Sequence, residues 1–348
     1  MRNIKLKNLE ICTLGSHCSL QVLKGAKDEN FSTCLICEKK RYDLYKRYTF
    51  IDRILLVDSF EQMLEKPFQQ RIKKLNCIFI PHGTLISSFS PDDIEKIDVP
   101  FFGNRYILRW EADRILKEKL MVAAKLNVPR AIRDKNDIDR LCIVKLHGAA
   151  GGRGYFTVWD RNSFDEGIKK LINLGSISSE KDVYIQEYIH GVPVFLHYFY
   201  SPLSNEVEFM GVDRRYESDV DGIARIPSKQ QLNVSIEPTY NVIGNIPLVL
   251  RESLLEEVYK MGEKFVRAAK KLVPPGIPGP FCLEGVYTKD GTFITFEFSA
   301  RIVAGTNLYV NGSPYSEMLF GKEMSMGRRI ATEIRITNSN NQLNKILT

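Results

Sequence analysis

Two apolar runs, residues 281–287 (FCLEGVY) and 293–298 (FITFEF), are joined through Asp290-Gly291, and they constrain the fold more than any other stretch. Asp-Gly between apolar runs is the strongest short hairpin signal, because the tight turn needs positive φ, which glycine adopts freely. With a two-residue turn, Lys289 faces Thr292 and Glu284 falls directly opposite Glu297. Like charges directly opposite in a sheet destabilise it, and carboxylates among apolar residues need partners. A divalent cation between them removes the conflict, and carboxylates are what Mg²⁺ prefers. Alternation puts Ser299 and Arg301 on the face of Glu297, adding a hydroxyl and a guanidinium. The competing reading turns one glutamate to solvent through a bulge or a longer loop.

A second stretch, residues 145–156 (KLHGAAGGRGYF), reads as strand, glycine loop, strand. Glycines let backbone N–H groups lie closely around an anion, and Lys145 and Arg153 add positive charge at the two ends. The lysine precedes the glycines and a strand follows them, so this is neither a P-loop nor a dinucleotide fingerprint, both of which open a helix. The bland alternative is a flexible hairpin tip. Together with the acidic hairpin, the loop describes an ATP site without a P-loop. The chemistry that suits it is phosphoryl transfer, which relies on positioning and charge neutralisation.

The N-terminal part alternates strand and helix patterns, with strands at 9–14, 31–37, 54–57 and 77–80 and helices at 19–26 and 60–75. That alternation predicts a parallel sheet whose ligands bind at the carboxyl ends of the strands. Two such ends carry polar loops, Gly15-Ser16-His17 and Pro81-His82-Gly83-Thr84. The first opens a helix and suits a phosphate group; the plain reading is a connection with Ser16 as cap. Residues 110–126 form a helix with Ala112, Ile115, Leu116, Ala123 and Leu126 near one face, and with Arg114 and Lys119 as its cations. A further helix starts at Asn162-Ser163, where Ser163 and Glu166 have capping-box spacing. Strands at 183–188 and 194–200 follow, the first carrying Glu187, and a helix spans 253–271.

At 348 residues the chain has room for two or three domains. No apolar run reaches the roughly 18–20 residues of a membrane span, and the first ten residues lack the apolar core of a secretory signal. Seven cysteines, an odd number, fit a reducing cytoplasm better than a disulfide framework. Cys34 and Cys37, three apart on a strand, face opposite sides and do not converge on a metal. The net charge of +7 is spread along the chain, which suits anionic small molecules as well as nucleic acid.

In order along the chain, these features resemble the ATP-grasp superfamily: the cationic helix ending at Asn127-Val128-Pro129, the strand lysine, the glycine loop, Gln186-Glu187-Tyr188, and Glu297-Phe298-Ser299-Ala300-Arg301. More narrowly, TLGSH, LKGAK, IPHG, FGNR, GGRGYF, HYFYSPL, RYESDVDG, GNIP, LVPPG, GPFCL and SMGRRIA are similar to the archaeal formate-dependent synthetases that make 5-formaminoimidazole-4-carboxamide ribonucleotide (FAICAR) for purine biosynthesis. The resemblance implies α/β and α+β architecture. A Rossmann-like unit would occupy 1–105, one ATP-grasp lobe 106–200 and a second 201–348. It implies that formate is phosphorylated by ATP and that the amine of the aminoimidazole carboxamide ribonucleotide (AICAR) attacks formyl phosphate. It carries roles to Lys145, Arg114, Lys119, Gly151, Gly152, Arg153, Gly154, Glu187 and Glu217 at ATP, and to Glu284 and Glu297 at Mg²⁺ or Mn²⁺. Ser16, His17, Thr84 and Asn245 would hold the ribonucleotide, and Arg301, with Lys145, the transferring phosphate. It implies a cytoplasmic homo-oligomer acting on small molecules, with no nucleic-acid or membrane partner. The residues alone also admit an ATP-grasp chain using another carboxylate and amine, or one that binds nucleotide without turnover.

Overall fold

Strands buried on both faces and separated by helices produce a parallel sheet at the start of the chain. In the structure, a computed structural model that describes residues 8–146, 155–233 and 241–348, β1 (Glu10–Leu14), β2 (Ser32–Glu38), β3 (Arg53–Val57) and β4 (Cys77–Phe79) pair in the order β3-β2-β1-β4. Every pair is parallel. One face buries Leu14, Ile36 and Leu55 with Ile72 and Phe101. The other buries Ile11, Ile78 and Ile80 under Val22, Ile330 and Ile334. Cys34 and Cys37 do face opposite sides. Cys34 instead meets Cys12 and Cys77, the three sulfurs lying within 4.8 Å of one another in the apolar interior, where cysteine packs as a small hydrophobe.

The second sheet contains β5 (Ala131–Ile132), β6 (Cys142–Leu146), β7 (Tyr155–Val158) and β8 (Val183–Glu187), in the antiparallel order β5-β8-β6-β7. Period two decides which side chains it offers. Cys142 and Val144 pack on Phe164 and Ile168 of the helix Arg161–Asn173, so Ile143 and Lys145 face the other way. That helix starts earlier than its capping-box spacing suggests. Asp160 is the cap: its carboxylate accepts the Ser163 N–H at 2.8 Å, and Ser163 closes the box.

The third sheet runs β11-β10-β9-β12-β13, built from β9 (Val192–Ser201), β10 (Glu206–Glu217), β11 (Val242–Pro247), β12 (Gly279–Tyr287) and β13 (Phe293–Ser299). Leu196, Tyr198, Phe281 and Leu283 pack against Val258, Met261, Phe265 and Ala269 of the helix Leu255–Leu272. The alternate residues Phe195, His197, Cys282 and Glu284 therefore point to the opposite face. β9 pairs with β12 from Val192 to Tyr200, which ties it to this sheet although it precedes residue 201. We infer that the middle and C-terminal lobes divide near Gly191 rather than at 200.

The helix expected over 110–126 is interrupted. Asp113 adopts an extended backbone and its carboxylate accepts the N–H groups of Ile115 and Leu116, so Ile107–Ala112 and Arg114–Ala123 are separate helices. This cap sets the rotation of the second helix. Arg114, Lys117, Leu120 and Met121 are buried, whereas Ile115, placed on the apolar face by the pattern, is exposed.

The end of the chain returns to the first sheet. The helix Met326–Ser339 crosses Ser19–Asp28 at two glycines: a Cβ on Gly25 would lie 2.1 Å from the Arg328 nitrogen, and one on Gly327 would lie 2.2 Å from the Gln21 oxygen. Backbone thus touches backbone, and Arg328 and Arg335 flank the crossing with ion pairs to the buried Glu29. Among the described residues no helix is long and apolar enough to cross a membrane. Gly25→Ala is expected to cost about 1–3 kcal/mol or more, the usual price of overpacking. Gly222→Ala, where a Cβ meets none of the described residues within 4 Å, is expected to be neutral or slightly stabilising. Urea denaturation of the two variants checks this, and equal midpoints would contradict the tight crossing.

Candidate active site

The second and third sheets, together with the carboxyl end of β1, enclose a cavity of about 820 Å³. That is near the top of the roughly 300–1,000 Å³ range of small-molecule sites. Of the residues singled out in the sequence, His17, Lys145, Glu187, Glu217, Asn245, Glu297 and Arg301 line it. Gly151, Gly152, Arg153 and Gly154 lie outside the described residues.

Glu284 is directly opposite Glu297, but by a different route from the two-residue turn. Thr288 and Thr292 close the hairpin around Lys289-Asp290-Gly291, and Gly291 alone of these three has positive φ, at 76°. A three-residue loop ending in left-handed glycine shifts the register by one. A bulge restores it: Glu284 pairs with Glu297 but Gly285 with Thr295, leaving Phe296 as the extra residue. Both departures thought to turn a glutamate outward are present, and they cancel. The repulsion is met within the protein. Glu284 is buried, accepting from Arg215 and from the Ser299 hydroxyl at 2.8 Å each. Glu297 accepts from Lys117. Burial opposes the charge on Glu297, but Lys117, Arg114 and Lys145 together outweigh it and hold the carboxyl at about 2.

Lys145 is buried and its ammonium donates to Gln186 Oε1 at 2.8 Å. Burial lowers its pKa to about 8; Glu297 opposes the shift, and Arg114 and Lys117 add to it. Arg114 sits behind it, its Nε donating to the Leu146 carbonyl at 2.9 Å. Lys119 is turned away and lies exposed over the Trp110 ring, 5.8 Å from its centre. Lys117, one helical turn from Arg114 on the buried side, is the cation of this helix that reaches Glu297.

On the opposite wall, His17 has φ 52° and stacks on His82 with ring centres 5.5 Å apart. A Cβ on Gly83 would lie 2.6 Å from His17 Nε2, so only glycine admits the ring there. His82 is buried; its Nε2 donates to the Leu14 carbonyl at 2.9 Å and its Nδ1 accepts the Thr84 N–H at 3.3 Å. Burial holds its pKa near 4, with Arg301 contributing in the same direction, so the ring is neutral at pH 7. Burial, then Arg301, His82 and Arg215, depress His17 as well. Ser16, which accepts from Arg41 at 3.2 Å, and Thr84 stand beside the stack without lining the cavity. Arg301 is braced by the buried Glu111 at 2.9 Å, and its Nε has no hydrogen-bond partner among the described residues. At the rim, Glu187 accepts from Arg140 at 3.2 Å. Burial raises the Glu217 carboxyl, against Arg215 and with Asp221. Asn245 donates to Asp213 at 2.7 Å.

Lys117, Arg215, Glu111 and Asp213 were not foreseen. For Lys117 the signal was its spacing of three from Arg114; for Arg215 and Asp213 it was alternation along β10, which puts both on one face. Glu111 carries no local signal, since its role depends on Arg301, far away in sequence. The arrangement sets cations around the ionised Glu297 in a cavity, with Glu284 directly opposite it in the hairpin and neutral imidazoles across from it. It can hold a polyphosphate and a divalent cation beside a second polar substrate.

Comparison with known proteins places these features. Residues 11–132 match a family model described as a protein of unknown function (DUF1246) and 163–348 one described as a domain of unknown function (DUF1297). The 5-formaminoimidazole-4-carboxamide-1-(beta)-D-ribofuranosyl 5'-monophosphate synthetase of Nitrosopumilus maritimus is 54% identical, covering 97% of this chain and 99% of its own. The crystal structure of an IMP biosynthesis protein PurP from Thermococcus kodakaraensis matches with TM-score 0.77 and 31% identity, covering 97% of this chain and all of its own. N5-carboxyaminoimidazole synthetase from Staphylococcus aureus shares the fold at TM-score 0.64 and 12% identity, over 94% of this chain and 77% of its own. Matched end to end by such relatives and folded as an ATP-grasp protein, the chain belongs to the 5-formaminoimidazole-4-carboxamide ribonucleotide synthetase family.

Proposed function

We propose that this chain is an ATP-dependent carbon–nitrogen ligase that formylates AICAR to FAICAR with formate. The observation that carries the reading is its 54% identity to a named synthetase along almost the whole of both chains. The γ-phosphoryl group of ATP passes to a formate oxygen, giving formyl phosphate and ADP. The AICAR amine attacks the formyl carbon, the carbon–oxygen bond to phosphate breaks, and FAICAR and phosphate result.

The cavity's chemistry supports these steps. Lys145 and Arg114, with the loop residues Gly151, Gly152, Arg153 and Gly154, would bind the ATP phosphates, and Glu187 and Glu217 the nucleoside. Arg301, braced from behind by Glu111, would neutralise the phosphoryl group in transfer. His17, Ser16, Thr84 and Asn245 would hold the ribonucleotide. The donor set also fits Mg²⁺: Glu297 stays ionised at about 2 and faces the cavity, with Glu284 opposite it. Mg²⁺ uses one or two carboxylates plus substrate phosphates, and when bound it withdraws charge from those phosphates. A reducing cytoplasm suits the seven free thiols.

The direct test is chromatography of ADP and FAICAR from Mg²⁺-ATP, formate and AICAR, each omitted in turn. FAICAR that requires all three is the expected result; ADP release indifferent to formate or AICAR would contradict it. A second prediction concerns Lys145, which is charged below about pH 8 and neutral above it. Its charge-assisted hydrogen bond to a phosphate is worth about 1.5–3 kcal/mol, so ATP affinity should fall about tenfold or more as pH rises beyond that value. Lys145→Arg should flatten the dependence. Calorimetric titration across the range checks both, and a flat wild-type profile would contradict the assignment.

A further inference from the structure

His197 stands on β9, on the face opposite the large helix, and forms part of the cavity wall. It is 1% exposed. Its Nε2 lies 2.6 Å from Asp213 Oδ1, and Asp213 Oδ2 accepts from Asn245 at 2.7 Å. The carboxylate is wedged in place: a Cβ on Gly305 would lie 2.1 Å from Asp213 Oδ1. In the neutral tautomer that donates its Nε2–H to this carboxylate, the lone pair is on Nδ1. That Nδ1 is buried with no hydrogen-bond partner among the described residues, which is rare for a buried polar atom.

An imidazole fixed by a carboxylate, with its other nitrogen free, is the arrangement of a general base. The ligase reading has a step that needs one. An amine on an aromatic ring beside a carboxamide is a poor nucleophile, and the nitrogen must shed a proton to end as an amide. We propose, on the basis of that reading, that His197 accepts this proton. The amine nitrogen bonds to the formyl carbon, the electron pair of the breaking carbon–oxygen bond leaves with phosphate, and the proton passes from nitrogen to His197 Nδ1. Asp213 stabilises the imidazolium, and Asn245 holds Asp213. His17, the other histidine lining the cavity, has no carboxylate partner among the described residues, its Nδ1 lying 2.9 Å from the Cys18 sulfur.

The two half-reactions separate the possibilities. Formate activation is read by positional isotope exchange in ATP labelled with ¹⁸O at the β,γ bridge, with formate and an AICAR analogue lacking the 5-amine. Formyl transfer is read by FAICAR formation. His197→Gln should keep exchange within about twofold of wild type and lower the acceptor-dependent kcat by about 10²–10⁴-fold, with KM for AICAR little changed. Asp213→Asn should lower the same kcat at least tenfold and also spare exchange. Parallel loss of both half-reactions, an unchanged kcat, or an effect confined to KM would overturn the role of His197. Wild-type enzyme with neither formate-dependent exchange nor FAICAR formation would instead overturn the ligase reading beneath it.

Discussion

Two carboxylates facing each other across one hairpin are the constraint on which the site depends. Glu284 and Glu297 are directly opposite, and neither stays charged among apolar residues without help. Lys117 from the helix Arg114–Ala123 meets Glu297, and Arg215 from β10 meets Glu284. The pair thereby ties a helix and three strands to one point. A buried ion pair is weak evidence of stability, because desolvation offsets attraction. Its value here is positional: it keeps Glu297 ionised at the cavity and spaces the cations around it.

A second constraint brings the separate sheets to that point. Contact between the backbones at Gly25 and Gly327 returns the C-terminal helix to the first sheet. Ile302 bridges to His82 just after Arg301, and Glu111 holds Arg301 from another direction. The histidine stack at the carboxyl end of the parallel sheet therefore faces the carboxylates of the third sheet across one cavity. Alternation completes the site. Strands β6, β9 and β10 each give one face to a core and the other to the cavity, so Lys145, His197 and Arg215 face inward from three different strands.

Much of this was legible in the sequence where a short-range rule applied. The glycine-loop pattern marked Lys145, the hairpin register marked Glu297, period two added Arg301, and strand-helix alternation identified the parallel sheet with His17 at its end. The Glu284–Glu297 pairing was read correctly through a turn that is not there, because a longer loop and a bulge compensate. Errors arose where a single residue sets a phase. Asp113 breaks the expected helix and rotates its second half, so Lys117 rather than Lys119 is buried and Ile115 is exposed. Asp160 starts its helix ahead of the apparent box. Partners that meet only in three dimensions, Glu111 with Arg301 and His197 with Asp213, leave no local pattern to read.

The central claim is that the facing carboxylates hold the divalent cation beside the nucleotide. Electron paramagnetic resonance of Mn²⁺ with ATP tests it most directly, comparing wild type with Glu297→Gln. The account predicts tightly bound Mn²⁺ in the wild-type ternary complex and its loss in the variant, while metal-free ATP still binds to the cationic residues around Lys145. Undiminished Mn²⁺ binding in the variant would contradict the account and leave the carboxylate pair as a structural clamp alone.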